Sequence, residues 1–213
     1  MSEGKAARVS QCQKPSGWLG RWCLRNMNKR HSGVTDWGLK NVVVRENDTV
    51  LDVGCGGGRT VEKLAAMARR GKVYGVDHAS ESVGVACKLN LESIKAGRVE
   101  VREGSVEALP YADDMFDVVT AVETHFWWPD PARDMREVQR VVKPGGAVVV
   151  IAEVYKGAEN RTSRLMEKYA PKTGLKMFSV DEHRALLEGA GFRDVEITTD
   201  SAKGWICCVG RKQ

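Results

Sequence analysis

Thr49-Val50-Leu51-Asp52-Val53-Gly54-Cys55-Gly56-Gly57-Gly58-Arg59-Thr60 is the stretch whose reading decides the fold. The short apolar run at its start reads as a strand buried on both faces, because it does not alternate with polar residues. It runs directly into a turn with four glycines, which clears side chains from a place where backbone must approach a ligand closely. A helix follows, with Val61, Leu64, Ala65 and Ala68 at i, i+3, i+4, i+7 spacing and Gly71 as its stop. Strand, glycine turn and helix open a parallel α/β sheet, whose ligands bind outside the carboxyl ends of the strands. The start of the helix is also expected to offer unpaired N–H groups. The turn is not a dinucleotide fingerprint, since the third required position after Gly54 and Gly56 falls on Arg59. Nor is it a P-loop, since Gly58 is followed by Arg59-Thr60 and not by Lys-Ser/Thr. Taken alone, the turn could be a plain turn with no ligand.

The neighbouring sequence argues otherwise. Residues 72–76 read as a second strand ending at Asp77, 19 residues after Gly58, where a carboxylate can accept hydrogen bonds from two ribose hydroxyls. A helix is expected from Ser80 to its close at Gly97, then strands over 99–102 and 116–122. Asp130 caps a helix with Pro131 at its first position, running through Met135, Val138, Val141 and Val142 to Lys143-Pro144-Gly145-Gly146. Residues 147–153 form a valine-rich fifth strand, helical segments follow around 161–170 and 181–190, and strands at 195–198 and 205–209 make an antiparallel edge.

The chain has 213 residues, 42% apolar and 29% charged, which suits one α/β domain at about 150 residues per domain and excludes a disordered chain. Its net charge of +5 is unevenly spread. Residues 1–45 hold nine Lys and Arg against Glu3 and Asp36, a net +7, so residues 46–213 sum to −2. The boundary divides a basic helical leader, 1–45, from the domain, 46–213. Trp18, Leu19, Trp22 and Cys23 share one helical face in that leader, which reads as a lid packed on the domain; a membrane-surface helix and a nucleic-acid arm are the alternatives. The six cysteines contain no C-x-x-C pair, so no metal site is expected and reduced thiols in a cytoplasm are the simplest reading. No secretory signal and no apolar run of roughly 18 residues is present, and a monomer or homodimer without a membrane span is expected.

In order, Leu51 to Gly58, Val73 to Asp77, Gly104 to Pro110, Phe116 to Val119 and Arg140 to Gly146 make a strongly specific set. The chain at this point resembles the class I S-adenosylmethionine-dependent methyltransferases, in the UbiE-like or methyltransferase type 11 group. The resemblance implies a Rossmann-like, seven-stranded, mostly parallel sheet with an antiparallel last strand, helices on both faces and an N-terminal helical lid. It implies that Gly54, Cys55 and Gly56 cradle the methionine part of S-adenosylmethionine, with Asp52 orienting the turn or holding the amino group through water. Asp77 would hold the ribose and His78 would lie beside the adenine, with Ala121 also at the cofactor. The family commonly has Asp after Gly104; here Ser105 stands there, so the resemblance implies an adenine contact that is weaker or that passes to Val106 backbone and Glu107.

The segment after the fourth strand, Glu123-Thr124-His125-Phe126-Trp127-Trp128, concentrates a carboxylate, an imidazole and aromatics where the acceptor would sit. His125 or Glu123 could act as general base, His125 being better matched to neutral pH. Trp127 and Trp128 could line the acceptor pocket or simply cover core. Asn28, His31 and Trp37 from the leader, and Tyr155 beyond the fifth strand, are further candidates, whereas His183 reads as a residue of a surface helix with no role. The expected function is methyl transfer to the O, N, S or C atom of a small molecule. A nucleic-acid methyltransferase is the second reading, although no Pro-Pro-aromatic and no Pro-Cys sequence is present. A non-catalytic protein that keeps the nucleoside site is the third.

Overall fold

The computed structural model describes residues 17, 20, 22, 24 and 30–213. Seven strands, β1 (Thr49–Val53), β2 (Lys72–Asp77), β3 (Val99–Glu103), β4 (Phe116–Val122), β5 (Val142–Ala152), β6 (Arg193–Asp200) and β7 (Trp205–Arg211), form one sheet. Their order is β3-β2-β1-β4-β5-β7-β6. The β1, β2, β3, β4 and β5 pairings are parallel, and β7 runs antiparallel to both β5 and β6. Helices with both ends among the described residues are α1 (Ser32–Gly38), α2 (Arg59–Met67), α3 (Ser80–Leu89), α4 (Leu91–Lys95), α5 (Pro131–Val141), α6 (Arg161–Thr173) and α7 (Val180–Gly189).

Adjacent residues of the central strands feed two different cores. Leu51, Val119 and Val148 pack with Met135 and Val138 of α5 and Leu186 and Leu187 of α7 on one face. Val50, Val118 and Val149 pack with Val61, Leu64 and Ala65 of α2, Ala86 of α3 and Val34 of α1 on the other. Because successive strand side chains point to opposite faces, a sheet covered on both sides needs apolar residues at consecutive positions. That requirement explains the unbroken valine run of β5. From β1 the chain winds one way through β2 and β3 and the other way through β4 and β5, so a crevice opens at the carboxyl ends of β1 and β4.

Three local expectations change. The single helix expected over 80–97 is two, α3 and α4, divided at Asn90. The buried Asn90 amide donates to the carbonyls of Gly58, at 3.0 Å, and Ala86, at 2.9 Å, so it ties α3 to the glycine turn instead of continuing the helix. The helix α5 ends at Val141, because Val142 already pairs with Phe116 at the start of β5, ahead of a register shift. Among the four residues assigned to one leader face, Trp22 is described and is 54% exposed, while Trp18, Leu19 and Cys23 lie outside the described residues. Leu24, in contrast, is buried. No helix among the described residues is long and apolar enough to cross a membrane.

Gly58 shows why the turn tolerates no side chain there. It has a left-handed φ of +80°, and a Cβ on it would lie 2.7 Å from the Cα of Ala86 in α3. We expect Gly58→Ala to lower unfolding free energy by about 2–4 kcal/mol, combining left-handed strain with overpacking; urea denaturation would measure it.

Candidate functional site

The glycine turn is fastened to the end of β2. The N–H groups of Gly54 and Cys55 both donate to the Val76 carbonyl, at 2.8 and 3.0 Å, and Gly58 N–H donates to the Cys55 carbonyl at 2.9 Å. Gly56 N–H donates to Oδ2 of Asp77 at 2.8 Å, and Ala79 N–H donates to Oδ1 of the same carboxylate at 2.9 Å. These bonds hold the turn itself and do not involve the N–H groups of Arg59, Thr60 and Val61 at the start of α2, where unpaired donors are expected. Gly54, at φ +72°, also faces Thr124 so closely that any Cβ would collide with its side chain. Asp52, at the buried end of β1, accepts a hydrogen bond from Thr120 Oγ1 at 2.7 Å. Burial pushes its carboxyl up to about 7; the Thr120 hydrogen bond works against this and the nearby Asp77 adds to it. Burial likewise holds the Cys55 thiol well above its ordinary range, so it is a neutral wall of the turn.

One cleft runs across the carboxyl ends of the strands. At one end Asp52, Gly54, Cys55, Gly56, Asp77 and His78 face Leu24, His31, Thr35, Glu123 and Trp127. The cleft continues along Gly104, Ser105, Val106 and Glu107, opposite Trp127, Trp128 and Pro129. Ser105 is turned inward on its own loop, accepting Glu107 N–H at 3.2 Å. A second cavity lies beyond it, walled by Phe126, Val154, Met166 and Leu175 and closed at its polar end by Arg30 and Glu153. His31, Glu123 and Trp127 line both spaces and so form the partition between them.

Glu123 follows β4 with a φ of +58°, uncommon for a residue with a side chain. Burial pushes its carboxyl up to about 8; the neighbouring Glu153 carboxylate adds to this, and the Glu153 N–H it accepts pulls the other way. His31 is held below its ordinary range by burial, against the opposing attraction of Glu153. Its Nε2 lies 3.5 Å from Glu153 Oε1, which also accepts from Arg30 Nη2 at 2.9 Å.

The structure separates several residues from the cleft to which they were assigned. His125 is 1% exposed and lines none of these spaces, because its ring turns into the core against Phe126, Phe178 and His183. A general-base role for His125 therefore has no geometric support. His183, expected on a surface, is 1% exposed and lies 2.9 Å, Nε2 to Nε2, from His125. Its Nδ1 meets the Ser179 carbonyl at 2.8 Å, so Nδ1–H donates there, its Nε2 accepts from His125 Nε2–H, and His125 Nδ1 is left as the buried nitrogen with no partner among the described residues. Ala121 is wholly buried within the sheet and touches neither cavity. Trp37 packs on Trp205 with ring centres 5.8 Å apart, and Tyr155 is buried in the main core. Trp128 lines the Gly104–Glu107 arm, away from the second cavity. Asn28 lies outside the described residues.

Glu153 and Thr124 were missed by sequence reasoning. Glu153 could have been found, since it ends a parallel strand at the side where ligands bind. Nothing in the one-dimensional pattern marks Thr124, whose part depends on the approach of Gly54.

The histidine pair has a measurable consequence. Burial lowers the His183 pKa below its ordinary value, so the unfolded chain takes up a proton more readily than the folded one. Stability from this group is full above about pH 6.5, the unfolded value, and is lost as pH falls below it. We expect His183→Gln to flatten the acid limb of stability between pH 7.5 and 5, and urea titrations at each pH would read the change in slope.

Comparison with known proteins agrees with this geometry. The methyltransferase domain family matches residues 51–150. Methyltransferase GfsG of Streptomyces halstedii is 32% identical over 152 residues, spanning 70% of this chain and 54% of that protein. A demethylmenaquinone methyltransferase of Bacillus mycoides is 33% identical over 124 residues, spanning 58% of this chain and 52% of that one. The chain thus spans about half the length of these curated relatives. Among solved structures, a SAM-dependent methyltransferase from Aquifex aeolicus superposes with a TM-score of 0.66 at 22% identity, covering 96% of each chain, which shows the shared fold. Sheet order, the turn locked between β1 and β2 and the family match over 51–150 converge: the chain is similar to the class I S-adenosylmethionine-dependent methyltransferases, in the UbiE-like group.

Proposed function

We propose that the chain transfers a methyl group from S-adenosylmethionine to a small-molecule acceptor, leaving S-adenosylhomocysteine. The observation that carries this reading is the pair of spaces meeting at His31, Glu123 and Trp127, one built on the glycine turn and the other largely apolar. The cofactor fits the first by its lining: an opening at Gly56, a carboxyl at each of two strand ends, and a continuation along Gly104–Glu107. When bound, it supplies a methyl group on a sulfonium, which is already electrophilic.

The residues of this chain then have to bind, orient and exclude water, since holding donor and acceptor in line contributes most of the acceleration in such a transfer. Asp77 is assigned to the ribose hydroxyls, using lone pairs left after Gly56 and Ala79, and His78 to the adenine side. Ser105, Val106 and Glu107 border the far arm, where no acid follows Gly104. Asp52, in the lining of the same cleft, is assigned to the methionine ammonium. The leader acts as a cover, since Leu24, His31 and Thr35 form the wall opposite the turn. Of the two acid–base candidates, Glu123 meets an acceptor in the second cavity and His125 does not. Walls of Phe126, Trp127, Met166 and Leu175 suit an acceptor with an apolar or aromatic body and a polar nucleophilic end.

Calorimetry with S-adenosylmethionine and S-adenosylhomocysteine tests the reading directly; absence of binding by both would sink it. Asp77→Asn is expected to weaken binding by about 1–3 kcal/mol, the scale of hydrogen bonds to a charged group. The Asp52 carboxyl titrates near 7 in the free protein and must ionise to receive an ammonium. Cofactor affinity should therefore rise as pH climbs through about 7, and Asp52→Asn should remove that rise. Isotope-labelled methyl transfer to a panel of apolar and aromatic acceptors, read by mass spectrometry, checks the acceptor class.

A further inference from the structure

We propose that His31, Glu123 and Glu153 form a binding site for a divalent first-row cation such as Mn²⁺, placed where the cofactor cleft meets the second cavity. The three donors come from separate parts of the fold: the turn before α1, the residue after β4 and the residue after β5. Their nearest ligand atoms all lie within 4.8 Å of one another. Donors bound to one ion at about 2.0–2.2 Å sit up to roughly 4.4 Å apart, so a small side-chain rotation completes the set. One imidazole and two carboxylates suit a cation of borderline hardness, and three protein ligands leave coordination positions open.

Two further observations point to a cation and not merely to an ion-paired wall. Neighbouring parallel strands deliver two carboxylates side by side, and Glu153 N–H donates into the Glu123 carboxylate, locking the pair together. Among the described residues, the cation bonded to the pair is Arg30, which bonds Glu153 with a side chain 66% exposed and acts on Glu123 only through space. A divalent ion between the two carboxylates would neutralise what Arg30 reaches only from one side. The position matters equally: His31 and Glu123 border both cavities, so the open positions of the ion face an acceptor in the second cavity. Its role would be to hold an oxygen or nitrogen of the acceptor beside the cofactor. That role rests on the methyl-transfer reading, whereas the existence of the site does not. No local spacing announces it, since the ligands are far apart in sequence and contain no cysteine.

The test is titration of the EDTA-treated full chain with Mn²⁺, followed by loss of the free-ion electron paramagnetic resonance signal. One Mn²⁺ per chain is expected, bound at least about tenfold more weakly by Glu153→Gln and by His31→Asn. Circular dichroism and S-adenosylhomocysteine calorimetry on the same preparations show whether each variant is folded. Absence of Mn²⁺ uptake by wild type, or uptake unchanged in both folded variants, overturns the proposal and leaves Glu123 an ordinary carboxylate at the acceptor. Mn²⁺ uptake lost in the variants, in a wild-type protein that fails to bind S-adenosylhomocysteine, upholds the metal site and defeats the methyl-transfer reading instead.

Discussion

The carboxylate of Asp77 holds two turns at once. One oxygen takes Gly56 N–H from the glycine turn and the other takes Ala79 N–H from the start of α3. Through these two bonds one carboxylate fixes both the glycine turn and the start of α3 against the end of β2. The Val76 carbonyl, accepting from Gly54 and Cys55, and the Asn90 amide, donating to Gly58, complete the fastening. The floor of the cleft is thereby held in place before any ligand arrives, and the acid that closes it is the one proposed to take the ribose.

The opposite wall is built differently. It is assembled from ends of β4 and β5 and from residues before and within α1, held by ion pairs that reach the surface, such as Arg30 with Glu153 and Lys63 with Asp36. Exposed pairs of this kind contribute little each. The contrast between a floor locked by buried hydrogen bonds and a wall held by surface charge is the arrangement needed where cofactor must stay registered and an acceptor must enter. Of the basic residues of 1–45, Arg30 belongs to this wall, and residues 46–213 carry a slight net negative charge.

Much of the fold was legible because its causes are local. The apolar run of β1, the Asp130-Pro131 start of α5 and the unbroken valines of β5 each carry a periodicity or a cap that needs no distant partner. Asn90 was opaque for the opposite reason: within 80–97 it resembles any other polar helix residue, and only the approach of the Gly58 carbonyl from 32 residues away gives it a reason to break the helix. The histidines show the same limit. A polar residue in an apolar segment looks functional at His125 and inert at His183, yet the two are hydrogen-bonded to each other in the core.

By itself, the sequence determined a parallel α/β sheet, the place of its ligand turn and the acid at the end of β2, because glycine spacing and strand-end carboxylates act through backbone geometry within a few tens of residues. Only the tertiary structure decided which side chains after β4 face the cleft. Glu123 and Trp127 face it, while His125, between them in sequence, does not. The turn of the chain at Glu123, with its positive φ, redirects successive side chains, and no pattern of residue types records that rotation. Tertiary structure alone also brought His31 and Glu153 to Glu123, since three separate chain segments meet there and sequence spacing carries no information about their distance.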